Sequence, residues 1–230
     1  VTSSGSSSYL NASLVEIVDG NVIASTSDLT SVSLPRLSNV TGYVNIYQND
    51  DLEEILLPSL VVIEGALTIS YNRGDSFGLI DMPELVRIGG AFTMDINDDM
   101  TGPVRMPSLV TIGGQFYNQW SPYNAYNGGT SYDLSSLARV EGSFYSGYTL
   151  FRFLNMSQLA YVGGNFKIEG QGSEWDTLAK LDLSNLAEVT GAATGGAAVS
   201  EARFESAIGR FEHNRGALGP SGEDVSTAEA

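Results

Sequence analysis

One phrase recurs along this chain: Leu57-Pro58-Ser59-Leu60-Val61-Val62-Ile63-Glu64-Gly65-Ala66-Leu67-Thr68-Ile69 returns as Met82-Pro83-Glu84-Leu85-Val86-Arg87-Ile88-Gly89-Gly90-Ala91-Phe92-Thr93-Met94. The same frame fits copies that begin at Leu34 and Met106 and, with the proline lost, copies that begin at Leu134, Met156 and Leu183; residues 17–23 read as a truncated opening copy. The anchoring glycines Gly20, Gly42, Gly65, Gly90, Gly114, Gly142, Gly164 and Gly191 follow one another at intervals of about 22 to 28 residues. A unit this short cannot cover its own apolar face, so the copies must stack on one another.

Each copy holds short alternating runs such as Ala66-Leu67-Thr68-Ile69-Ser70, bounded by Gly, Asn, Asp or Pro, which predicts strands. In one turn, residues 52–57 form one side, 60–63 a second and 67–69 a third, with Leu57, Leu60, Ile63, Leu67 and Ile69 pointing inward. Pro58 and Gly65 stand near corners: proline because it donates no ladder hydrogen bond, glycine because it accepts positive φ. Asn49, Asn72 and Asn97 fall just after the third strand of their copies, which predicts a side-chain ladder or repeated Asx turns.

The fold class that follows is mainly β: a right-handed parallel β-helix of about seven to eight turns over 1–191, related to leucine-rich-repeat solenoids, with a flexible start over 1–8. Beyond it the sequence predicts an Ala/Gly linker, a capping helix over 199–210 with Ser200 as N-cap, and a polar tail over 216–230.

A formal charge of −16 argues against a nucleic-acid partner, which would call for clustered Lys and Arg. Cysteine is absent, which removes disulfides, thiolate metal sites and cysteine nucleophiles. The single histidine, His213, lies outside the repeat beside Asn214 and Arg215 and reads as solvated, and no carboxylate pair stands out for glycoside hydrolysis. The expectation is therefore a protein that is not an enzyme and has no cofactor. The acidic segments 50–54 and 95–99 both follow a third strand and should share one rim. Asp95, Asn97 and Asp99 alternate as in a calcium loop, yet Met100 and Met106 stand where Gly and Glu are needed, so the reading is a solvated acidic edge without metal. No window approaches the ~20 apolar residues that insert into a membrane.

Ligand-binding candidates come from the longest segment between copies, 116–132, where Tyr117, Trp120, Tyr123, Tyr126 and Tyr132 are interleaved with amides. Such rings suit peptides and glycans; alternatively they fold back as an apolar cover. Tyr145, Tyr148, Phe151 and Phe153 one copy later would extend an aromatic strip. The outward third-strand positions, Asn45, Thr68, Thr93, Tyr117, Tyr145 and Lys167, do not form a threonine array of the ice-binding kind. Asn11, Asn39 and Asn155 each open an N-glycosylation triplet.

The phrase Leu-Pro-x-Leu-x-x-Ile-x-Gly-x-Leu-x-Ile, carried by 57–69 and its copies over 17–191, resembles the receptor L-domain, the β-helical ligand-binding module of growth-factor and insulin receptors. It looks still more like the related fungal cell-wall surface proteins, here in a cysteine-free form. The resemblance implies a secreted, glycosylated protein of the cell surface or matrix without catalytic residues. Such a protein associates with itself or with other surface proteins, or acts as a receptor-like or lectin-like module that holds a peptide or glycan.

Overall fold

The computed structural model of the chain describes residues 1–3, 9–25, 28–72, 77–97, 100–119, 130–147, 151–169, 180–183 and 185–195. The repeat closes into a coil with three flat sides, each a parallel sheet to which successive turns add one strand. Sheet A has nine strands, from Thr2–Ser3 to Ala193–Gly195; sheet B has eight, from Tyr9–Asn11 to Lys180–Asp182; sheet C has eight, from Ile17–Val18 to Glu188–Val189. Equivalent residues of neighbouring copies pair directly: Leu67 lies between Val44 and Phe92, and Ile63 between Val40 and Ile88. The protein is thus a three-sided parallel β-solenoid, and the inward set Leu57, Leu60, Ile63, Leu67 and Ile69 is fully buried.

Two expected boundaries move. Thr2–Ser3, within the start expected to be flexible, is a strand paired with Ile23 and Ala24. Ala193–Gly195 pairs with Phe166, Lys167 and Ile168, which carries sheet A past residue 191. The predicted helix over 199–210, the polar tail and His213 lie outside the described residues.

Each corner has its own chemistry. Between sheets B and C, the Leu-Pro-x-Leu phrase is a tight turn in which Leu60 N–H donates to Leu57 O at 3.2 Å and Leu85 N–H to Met82 O at 3.2 Å. Proline's fixed φ suits the second position of such a turn, and serine keeps the turn in later copies, as in Leu137 N–H to Leu134 O at 2.9 Å.

Between sheets C and A stands the recurrent glycine, and its reason differs from the one read in the sequence. Among the described glycines only Gly20 has a positive φ; the other corner glycines are glycine because the backbones of adjacent turns nearly touch. Gly65 N–H donates to Gly42 O at 2.9 Å and Gly90 N–H to Gly65 O at 2.8 Å, and a Cβ on Gly90 would lie 2.8 Å from Ala66 N. The left-handed conformation appears instead at the third corner, on Gln48, Tyr71 and Ile96, each immediately before a ladder asparagine.

Those asparagines, all fully buried, form the predicted ladder. Asn49 Nδ2 donates to Asn72 Oδ1 at 2.9 Å and Asn72 Nδ2 to Asn97 Oδ1 at 3.1 Å, while the same amides reach Ala24 O, Ile46 O and Asn97's own partner Ile69 O at 3.2, 3.1 and 2.9 Å. Variation in repeat length is confined to this corner. The step from Leu57 to Leu67 recurs as Met82 to Phe92, Met106 to Phe116 and Leu134 to Phe144, whereas Asp95 is followed by a B strand at Val104 and Gln119 by one only at Thr130.

The core changes character along the coil. The inward column that begins with Val22, Val44 and Leu67 continues as Phe92, Phe116, Phe144 and Phe166. Phe116 and Phe144 stack with centroids 4.4 Å apart, and Phe144 and Phe166 with centroids 4.9 Å apart.

Replacing Gly90 by Ala is expected to lower stability by about 1–3 kcal/mol through overpacking against the neighbouring backbone. Asn72→Ala should cost about 3 kcal/mol, because it strips buried partners on two adjacent turns. Urea unfolding midpoints measure both; a loss below about 0.5 kcal/mol at either position contradicts the corner assignment.

Candidate functional site

The sequence candidates separate once the coil is formed. Tyr117 stands on the outer face of sheet A in register with Thr93 and Tyr145. Tyr132 is a correction: it pairs with Val104 and Leu154 at an inward position of sheet B, is buried, and directs its hydroxyl to Met94 Sδ at 3.4 Å. Being part of the core, it offers nothing to a surface ligand. Trp120, Tyr123, Tyr126 and Tyr148 lie outside the described residues. Phe153 is exposed, but on sheet B, so it does not continue the sheet A strip.

Why Tyr132 belongs inside follows from its neighbours. The column that carries Ile46, Ile69 and Met94 continues as Asn118 and Ser146 before returning to Ile168. Beside the large Phe116 and Phe144 these shorter side chains leave room that the Tyr132 ring fills from the opposite sheet. Burial pushes the Tyr132 phenol far above its usual range, and the adjacent Asn118 amide offsets this only in part. Asn118 is itself fully buried beside this phenol.

On the outer face of sheet A the aromatic strip is a ladder across turns. Tyr117 and Tyr145 stack with centroids 5.2 Å apart and planes 21° apart, and Lys167 Nζ lies 5.9 Å from the Tyr145 centroid on the next strand. The Tyr145 hydroxyl donates to Glu169 Oε2 at 2.8 Å, Lys167 Nζ pairs with Glu169 Oε1 at 2.5 Å, and the Tyr117 hydroxyl donates to Gln119 Oε1. Stacking along the coil axis turns ring faces toward neighbouring strands, so the strip presents ring edges and engaged hydroxyls to solvent. A sugar that needs an open ring face finds Tyr145 already covered by Tyr117.

These contacts set the local electrostatics. Burial, followed by the nearby Asp95 carboxylate and the Tyr71 phenol, pushes the Tyr117 phenol up. For Glu169 desolvation acts upward, but the hydrogen bonds from Lys167 and Tyr145 and the Lys167 charge outweigh it and hold the carboxyl below its usual range. Sheet C and the corner turn that leads into it carry a parallel set of surface pairs: Arg36 with Glu16 at the corner, Arg87 with Glu64, and Arg139 with Glu141 at 2.9 Å, with the Arg139 guanidinium 4.0 Å above the Tyr161 ring.

The acidic rim is present in part. Asp50, Asp51 and Glu53 are exposed and Asp95 is half-buried, while residues 98–99 lie outside the described residues. Among the described residues no group of three His, Asp or Glu side chains is placed to hold a metal ion. No helix among them is long and apolar enough to cross a membrane. The sequons differ in access. Asn11 and Asn155 occupy equivalent exposed positions at the ends of sheet B strands, whereas Asn39 is half-buried with its Oδ1 enclosed.

Comparison with protein-family models, with curated proteins and with solved structures finds no match to this chain.

The feature that sequence reasoning missed is the first turn. Among the described residues the three most exposed large apolar side chains are Leu14 at 79 %, Tyr9 at 67 % and Ile17 at 63 %, all on that turn. Leu14 is third in a corner turn where later copies carry Arg36, Ser59, Glu84 and Ser108. Ile17 pairs with Asn39, and Tyr9 with Ser31. The signal was available, since Leu14 breaks an otherwise polar column, but it emerges only when the truncated copy is aligned with the complete ones.

Tyr145→Phe is expected to raise the Glu169 carboxyl pKa, observable by carbon-detected NMR titration. A carboxyl depressed in the folded state contributes stability above its unfolded value of about 4.3 and loses it as pH falls through the folded value. The variant should therefore be less acid-sensitive than the parent below that pH; an unchanged Glu169 titration contradicts the ladder.

Proposed function

We propose that this chain is a structural and interaction protein of the cell surface or extracellular matrix, a rigid coil that associates with copies of itself or with neighbouring surface components. The observation that carries this reading is the exposure of Tyr9, Leu14 and Ile17 together on one turn. Strongly exposed apolar side chains gathered on one turn of an acidic protein favour a contact site there. Association through it needs no pocket or cofactor, only a rigid support, which the stacked turns supply.

Placement outside the cell draws support from the sequons and from the likeness of the repeated phrase to fungal cell-wall surface proteins. Asn11 and Asn155 are exposed and open to a glycosyl-transferring enzyme, whereas Asn39 is half-buried with its Oδ1 enclosed and is the poorer acceptor. The lectin-like alternative loses ground on the Tyr117 and Tyr145 faces, which stack on one another.

An antibody to the chain should label intact, unpermeabilised source cells, and glycopeptide mass spectrometry should find glycan on Asn11 and Asn155 but not on Asn39. Protein confined to the cytosol with all three asparagines bare would contradict the reading.

A further inference from the structure

Both exposed sequons carry an exposed aromatic ring two residues upstream. The runs are Tyr9-Leu10-Asn11-Ala12-Ser13 and Phe153-Leu154-Asn155-Met156-Ser157, one aromatic-Leu-Asn-apolar-Ser pattern met twice. In each, the aromatic residue and the asparagine belong to one strand of sheet B and are exposed. The leucine between them turns inward, Leu154 being buried and Leu10 packed against the core. Alternation along the strand therefore sets ring and amide side by side on the outer face of the coil, about 6–7 Å apart. The third sequon has no such ring, because Leu37, two residues before Asn39, is fully buried.

The sheet register shows that the fold does not call for these rings. Elsewhere in the column of Tyr9 and Phe153 the paired positions hold Ser31, Glu54, Leu79, Ser131 and Lys180, and none of these opens a sequon run. Aromatic residues stand in this column where a sequon follows on the same strand.

We propose that Tyr9 and Phe153 are carbohydrate platforms: the first N-acetylglucosamine of the glycans at Asn11 and Asn155 packs on them, so each glycan lies along sheet B instead of projecting from it. The proposal rests on the surface reading above and assigns what receives its glycans. The C–H groups on one face of a pyranose carry partial positive charge and suit the electron-rich face of an aromatic ring, while the sugar hydroxyls keep their water. An asparagine side chain extended by a pyranose spans more than the roughly 6–7 Å to the ring, so the sugar can fold back onto the ring surface that is open to solvent. Asn155 Nδ2 donates to Asp133 Oδ1 at 3.5 Å, and a glycosylated amide keeps the one N–H that this contact needs. A glycan over Tyr9 on sheet B leaves Leu14, at the corner turn, and Ile17, on sheet C, to the contact proposed above.

The test uses the full chain secreted from a eukaryotic host and trimmed to one isotope-labelled N-acetylglucosamine per site. Carbon–proton NMR should show ring protons of both sugars shifted upfield from their positions in denaturant. Tyr9→Ala should abolish the shift at Asn11 alone, and Phe153→Ala the shift at Asn155 alone. Tyr71→Ala, which removes an exposed ring beyond the end of a sheet A strand, should change neither. Removing the second glycan through Ser157→Ala should lower Tm by about 2–4 °C in the parent, the effect of one ring contact in a chain of this length. In the Phe153→Leu background, which keeps apolar bulk and the fold without a ring, the same change should cost less than about 1 °C.

Unshifted sugars at both sites, shifts that survive loss of the rings, or an equal Tm loss in both backgrounds overturns the platform and leaves the surface placement standing. Bare Asn11 and Asn155 in the secreted chain overturn the platform and the glycan pattern together.

Discussion

Everything in this molecule depends on one backbone laying itself against the next at sheet spacing on all three sides at once. The constraint is tightest at the glycine corner, where Gly114 N–H meets Gly90 O at 2.9 Å and no Cβ fits between the turns. Once that corner is fixed, the Leu-Pro turn and the asparagine ladder have little freedom, because the step from the Leu-Pro turn to the start of sheet A recurs unchanged from copy to copy. Length variation is left to the single corner between sheets A and B, which is why the long insertions do not disturb the core.

The same constraint explains which parts of the sequence were readable. The sides, the inward set and the proline corner could be read because hydrophobic period and turn chemistry agree in every copy, and the ladder because Asn49, Asn72 and Asn97 hold equivalent places. The glycines were read correctly in position but for the wrong physical reason. Residue type alone does not distinguish a need for positive φ from a need for close approach, and the left-handed positions went to Gln48, Tyr71 and Ile96. Tyr132 escaped because a long segment precedes it and breaks the frame; only its register with Val104 and Leu154 shows that it points inward. Asn118 is legible in retrospect, since the alternation from Phe116 puts it on the inward side, where polarity runs against expectation.

Function follows from how the stack uses its side chains. Along the outer faces, rings and charges largely engage their neighbours: Tyr117 lies on Tyr145, Lys167 on Glu169, Arg139 on Glu141 and Tyr161. These ladders tie the side chains of successive turns to one another along the outer faces. A repeating structure satisfies its interior turns by repetition, and only a terminal turn faces the problem of having no neighbour. In this chain the most exposed large apolar side chains among the described residues, Leu14, Tyr9 and Ile17, all stand on the first turn.

Native-state amide hydrogen exchange resolved by NMR tests the central claim, that turn-on-turn backbone contact at the glycine corner holds the coil together, most directly. The account predicts that the amides of Gly65, Gly90 and Gly114 exchange only through global unfolding, with protection matching the full unfolding free energy. Exchange of these amides through local opening, faster than that of the neighbouring sheet A strands, would contradict it.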